Sequence, residues 1–204
     1  MKLAAIAAAA LVPMLVFATT ASAEAPQTIT YKLRASAAGQ SSDFTLDQGV
    51  DASAPATTAP GSSLAVTIDP TPNTIPSEAG GRQVREIKGL ALKLPVPANS
   101  TFASASLAGG SGLGGTPTIG LQGNDVVLSV PGPIKGGANF ELPTVTINLT
   151  AGAAGSIDTK LGGTSYDVPG LTFTAVVTVF GFPVDAAAKG YPDPNPVLTT
   201  TTIG

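Results

Sequence analysis

The chain has 204 residues, a formal charge of −3, 11% charged residues, no Cys, no His, 24 Gly and 18 Pro. That is room for one sizeable domain, and the missing residue types exclude disulfides, thiol nucleophiles, Ser–His pairs and the common zinc sites. Its 10 Lys and Arg residues are scattered, so nucleic acid, which needs a clustered basic surface, is not an expected partner.

Lys2, an apolar run over 3–18 and the small-x-small triplet Ala21-Ser22-Ala23 have the form of a secretory signal peptide over 1–23, with cleavage before Glu24. The run falls short of the roughly 20 apolar residues that span a bilayer. With no cysteine to take a lipid, the mature chain 24–204 is expected to be secreted or envelope-associated, without a transmembrane anchor after cleavage. Lacking disulfides, it must be held by burial and sheet hydrogen bonds.

In chain order, residues 28–35 alternate Ile29, Tyr31, Leu33 and Ala35 against Thr30, Lys32 and Arg34, a first strand. Residues 36–42 read as a loop, 43–51 as a weaker strand with Phe44, Leu46 and Val50, and the Ala/Pro/Thr/Ser-rich 52–61 as a connection. Strands follow at 63–69 and at 84–96, where Gly89 marks a bulge or bend and Pro95 and Pro97 end the segment. Residues 101–107 form a Ser/Ala-rich strand, and the glycine tract 109–115 is flexible loop by composition. It lacks the Lys-Ser or Lys-Thr and the ensuing helix of a phosphate cradle.

A strand at 126–130 precedes a Pro/Gly-closed turn that feeds an alternating strand, whose apolar positions Leu142, Val145, Ile147 and Leu149 read as one buried face from Val145 onward, with Thr144, Thr146, Asn148 and Thr150 on the other. Gly136 and Gly137 belong to that turn rather than to a ligand loop, and Lys135 and Glu141 face solvent. Further strands are expected at 156–161, 171–180 (central) and 197–203, with Pro183 and Tyr191-Pro192-Asp193-Pro194-Asn195-Pro196 as an irregular crossing. No helical period appears. The expectation is an all-β fold, a single antiparallel, immunoglobulin-like β-sandwich of about eight to ten strands.

Three segments, L-K-L-P-V-P-A-N-S-T-F at 92–102, V-P-G-P-I-K-G-G-A-N-F-E-L-P at 130–143 and Y-P-D-P-N-P-V-L-T-T-T-T-I at 191–203, resemble a family of small secreted actinobacterial proteins. The resemblance covers nearly all of the mature chain. It implies a secreted or cell-envelope protein and identifies no reaction, although members are loosely labelled cyclase or dehydratase. Members often carry one cysteine in the first strand and one before the Tyr-Pro segment. Here those neighbourhoods read Tyr31-Lys32-Leu33-Arg34 and Ala188-Lys189-Gly190, which leaves terminal pairing to hydrogen bonds.

The remaining acid–base candidates are 13 carboxylates and a few Lys and Tyr side chains, and no spacing singles out a catalytic pair. Asp43, Asp47 and Asp51 recur every fourth residue without the alternate oxygens and glycine turn of a calcium loop, and read as solvated turn and edge positions. Arg82, Arg85 and Lys88, with Glu86 among them, suit an acidic glycan or lipid head group, or the protection of a sheet edge. The pairs Thr144/Thr146, Thr172/Thr174 and Thr199/Thr201 read as outward-facing strand residues rather than an ice-binding array, since no short repeat runs through the chain. Phe102, Phe140, Phe173, Phe180 and Phe182 are expected mainly in the core, with lining of an inter-sheet pocket as the alternative. No catalytic, metal or cofactor-binding residue is assigned, and no cofactor is expected. Three functions stay open: a non-catalytic module acting by surface interaction with a cell-envelope component, a carrier for an apolar small molecule or envelope lipid, and an enzyme of the kind that the family labels suggest.

Overall fold

The computed structural model describes residues 21–23, 26–37 and 39–204. The apolar part of the expected leader lies outside the described residues. Ala21–Ala23, at the expected cleavage point, pairs antiparallel with Ser53, Ala54 and Pro55.

Among the described residues, twelve strands have five residues or more: β1 (Gln27–Ala37), β2 (Gln40–Pro55), β3 (Ser63–Pro70), β4 (Arg82–Pro95), β5 (Ser100–Ala108), β6 (Thr118–Gln122), β7 (Asp125–Val130), β8 (Thr144–Ala151), β9 (Gly155–Thr159), β10 (Leu171–Val179), β11 (Phe182–Pro192) and β12 (Thr199–Ile203). The described residues contain no helix. Ten strands form one antiparallel path in the order β6-β7-β4-β10-β11-β1-β2-β3-β8-β5, and its two end strands approach each other without a ladder. The arrangement is nearly closed and barrel-like. The all-β, antiparallel expectation holds; the ladders draw one continuous wall, and an immunoglobulin-like sandwich is not shown. Near-closure limits the unpaired edges that an open sheet exposes.

β8 shows how the pattern makes the wall, because every second residue, Val145, Ile147, Leu149 and Ala151, is buried and period-2 alternation sends those side chains inward. Inward residues of β1, β4, β7 and β8, among them Leu33, Leu94, Leu128 and Ile147, join one core. β4 keeps Val84, Ile87 and Leu90 all buried at intervals of three. Period 2 forbids that in a regular strand. Two register shifts against β10 permit it, and one falls at Gly89, whose φ of 63° suits glycine.

Several expectations are corrected. β2 runs through 52–55, read from sequence as a connection, with Ala52 and Ala54 buried. β6, mostly exposed, had no hydrophobic alternation to announce it. Residues 183–192 are strand rather than an irregular crossing: β11 faces Ala186, Ala188 and Gly190 inward, and side chains so small leave no apolar period to read. β11 pairs with β1 through Leu33↔Gly190 and Tyr31↔Pro192, so the terminal strands are joined by hydrogen bonds, as expected. The glycine tract 109–115 is packed rather than loose. Leu113 is buried there, and a Cβ on Gly114 would collide with the Pro133 carbonyl oxygen.

The barrel end near Gln27 and Pro55 is covered by β9 and β12, which pair antiparallel, with Thr57–Thr58 added in parallel. Ile157, Leu198 and Ile203 enter the core from this cover. Thr199 and Thr201, expected outward, are buried. The Thr201 hydroxyl donates to the Pro55 carbonyl at 2.6 Å, which ties β12 to the end of β2.

Candidate functional site

The opposite end of the barrel is open. Here the β1–β2 turn, the hairpin joining Glu78–Ala79 to the start of β4, and the β10–β11 turn surround an apolar pocket of about 320 Å³. Its cause is side-chain size: Ala35, Ala37, Ala79, Ala175 and Ala186 line it, and Gly80 adds no side chain. Elsewhere most inward positions carry Leu, Ile or Val and leave far less space. Phe44, Val84 and Val177 supply the larger apolar wall. Exposed Gln40, Arg82 and Phe180 also line the pocket, so it opens to solvent.

Along β1, inward positions descend from Ala37 and Ala35 to fully buried Leu33 and then to Tyr31. Tyr31 borders a second, inner cavity of about 40 Å³ with Leu92, Phe140 and Leu171. On the inward face of β1, buried Leu33 stands between Ala35, which lines the outer pocket, and Tyr31, which lines the inner one. The Tyr31 hydroxyl has no hydrogen-bond partner among the described residues, and burial pushes its pKa upward, holding it protonated.

Charge at the open end is unevenly compensated. Arg34 donates to both carboxylate oxygens of Asp43, at 2.7 and 2.8 Å, and this hydrogen bonding holds the Asp43 carboxyl below its ordinary value. Arg34 also lies 4.1 Å over the Tyr166 ring, whose neighbour Tyr191 meets it edge-on at 5.2 Å. This row, with the Lys32–Asp193 ion pair, fastens the 164–168 turn to the outside of the barrel. Arg82 belongs to none of the three ion pairs found among the described residues. Glu78 sits across the hairpin from Gln83 rather than from Arg82.

The sequence candidates are dispersed. Asp43 is held by Arg34, Asp47 accepts from the Thr30 hydroxyl at 2.7 Å, and Asp51 is exposed. They lie on the outward face of a paired strand rather than at a free edge. Lys88 pairs with Asp185 at 3.1 Å. Between Val84 and Lys88, β4 pairs with β10 on one side and meets Ile134–Lys135 on the other, which removes edge protection as the reason for Arg85, Glu86 and Lys88, while Arg82 lies in the hairpin with Glu78–Ala79. Thr144 donates to Asp69 at 2.6 Å, while Thr146, Thr172 and Thr174 are half-buried.

Of the five phenylalanines singled out from the sequence, Phe140 is buried and Phe102 and Phe173 pack partly against the core. Phe180 and Phe182, expected inside, are 96% and 72% exposed. The pocket itself was missed because alanine announces nothing in a hydrophobic period. The available signal was alanine recurring at inward positions, 35 and 37 on one strand, 175 and 186 on two others.

No family model, curated protein or solved structure matches this chain.

Proposed function

We propose that the protein is an exported, non-catalytic binding module that holds an apolar small molecule or an envelope lipid in the open end of its barrel. The alanine-lined pocket carries this reading: its volume lies at the lower end of the range of small-molecule sites, about 300–1,000 Å³, and it is apolar with a few polar groups at the rim. Export rests on the leader 1–23 and on the resemblance to actinobacterial envelope proteins. Surface action through the sheet faces has weaker support, since outward side chains are engaged in cross-strand pairs such as Arg34–Asp43, Thr144–Asp69 and Asn148–Ser104. An enzyme would need two titratable groups converging on the pocket. Of the two that line it, Asp43 and Arg82, Asp43 is occupied by Arg34.

Native mass spectrometry of the protein from its own host, joined to titration with a fluorescent fatty acid, tests the reading. A co-purified apolar ligand or saturable binding is expected. Ala35→Phe, at a half-buried position of the pocket wall, should weaken probe binding by about tenfold or more. No ligand, no saturable binding and no response to Ala35→Phe would refute it.

A further inference from the structure

We propose that the barrel end bearing Phe180 and Phe182 docks onto a lipid bilayer containing anionic head groups. Phe180 and Gly181 form a two-residue turn between the paired residues Val179 and Phe182, and both have positive φ, 50° and 83°. Asn-Gly or Gly-Gly suits that geometry. A phenylalanine there is strained, and its ring, almost fully exposed, gains nothing from the folded chain. Phe182, beside it, adds a second exposed ring.

The neighbouring tips are small and uncharged: Ala37 and Gly39 on one turn, Gly80 and Gly81 on another. No charge on these tips stands between the rings and an apolar phase. Arg82 lines the rim and belongs to no ion pair among the described residues, placed to meet lipid phosphate while the rings enter the head-group boundary. A protein partner fits less well, because a stable protein interface buries about 800 Å² on each side and these rings project from one narrow turn. The pocket opens between the same tips, so a docked barrel would face the source of an apolar ligand. Docking does not depend on the pocket being filled.

Hydrogen–deuterium exchange on the full chain tests this, because it separates the turn from any binding by the apolar leader. Vesicles of phosphatidylcholine, with and without phosphatidylglycerol, are added, and peptides spanning 176–186 are followed. Exchange around Phe180–Phe182 should slow, more strongly with phosphatidylglycerol. The protection should be lost in F180N/F182T, whose Asn-Gly turn suits the fold and whose melting temperature should not fall. Arg82→Gln should reduce the phosphatidylglycerol effect to that of phosphatidylcholine alone. Unchanged exchange at 176–186 in both vesicle types, or equal protection in the double variant, would overturn the proposal, as would a Phe180-dependent dimer without vesicle protection. Because Phe180 and Arg82 also line the pocket, fatty-acid titration of the unsubstituted protein without vesicles reads the pocket separately, so either reading can fail alone.

Discussion

The two ends of the barrel are built from one strand grammar and end in opposite chemistry. At the covered end, β9 and β12 place Ile157, Leu198 and Ile203 over the core, and Thr201 bonds to the Pro55 carbonyl. At the open end, alanines stand where large side chains would close the wall, and two phenylalanines project into solvent. Removing apolar side chains from water stabilises a fold by about 25 cal/mol per Å². The open end forgoes that gain twice, in an unfilled pocket and in exposed rings. Its shape is therefore better explained by something it meets than by folding alone.

Substitutions can break or sharpen this contrast, beginning with the largest effect. Leu198→Ala, at a fully buried position of the cover, should cost about 2–5 kcal/mol in urea unfolding. Val184→Ala, at the half-buried wall of the open end, should cost less than about 1.5 kcal/mol. Equal losses would dissolve the distinction between the ends.

Tyr31→Phe removes a buried hydroxyl without a partner among the described residues. An increase in stability of about 1 kcal/mol is expected, and a loss greater than that in the same unfolding assay would show that the hydroxyl is satisfied in solution. Phe180→Asn should raise stability by a few tenths to about 1 kcal/mol by relieving the turn. A clear fall in melting temperature would mean that the ring contributes to the fold.

The smallest effect concerns acid. The Asp43 carboxyl is held below its ordinary value of about 3.9 by hydrogen bonds from Arg34. The contribution of that pair is thus present in full above the ordinary value and fades as pH falls through the lowered folded one. As pH falls below about 4, the melting temperature of wild type should fall more steeply than that of Asp43→Asn. Parallel pH profiles would show that the pair contributes nothing, as exposed pairs often do.

Legibility followed how local each feature is. Residues 63–69, 144–151 and 171–179 could be recognised as strands because alternation of large apolar residues is written within a few positions, and Gly89 marked its bulge for the same reason. β11 was hidden because its inward residues are alanine and glycine, and β6 because it is largely exposed. Phe180 and Phe182 were assigned inward on hydrophobicity alone, yet a tight turn lies between them and turns both rings outward.

The sequence by itself determined that the chain is all-β, where most of its strands lie and which faces of them are buried, since the pleat converts residue parity into direction. It also determined the absence of thiol and imidazole chemistry. Only the tertiary structure decided that ten strands form one nearly closed wall, that β9 and β12 cover one end, and that the other end stays open. Closure depends on which distant strands pair, and the pocket is the summed shortfall of small side chains from separate strands. Neither quantity exists in any single stretch of chain.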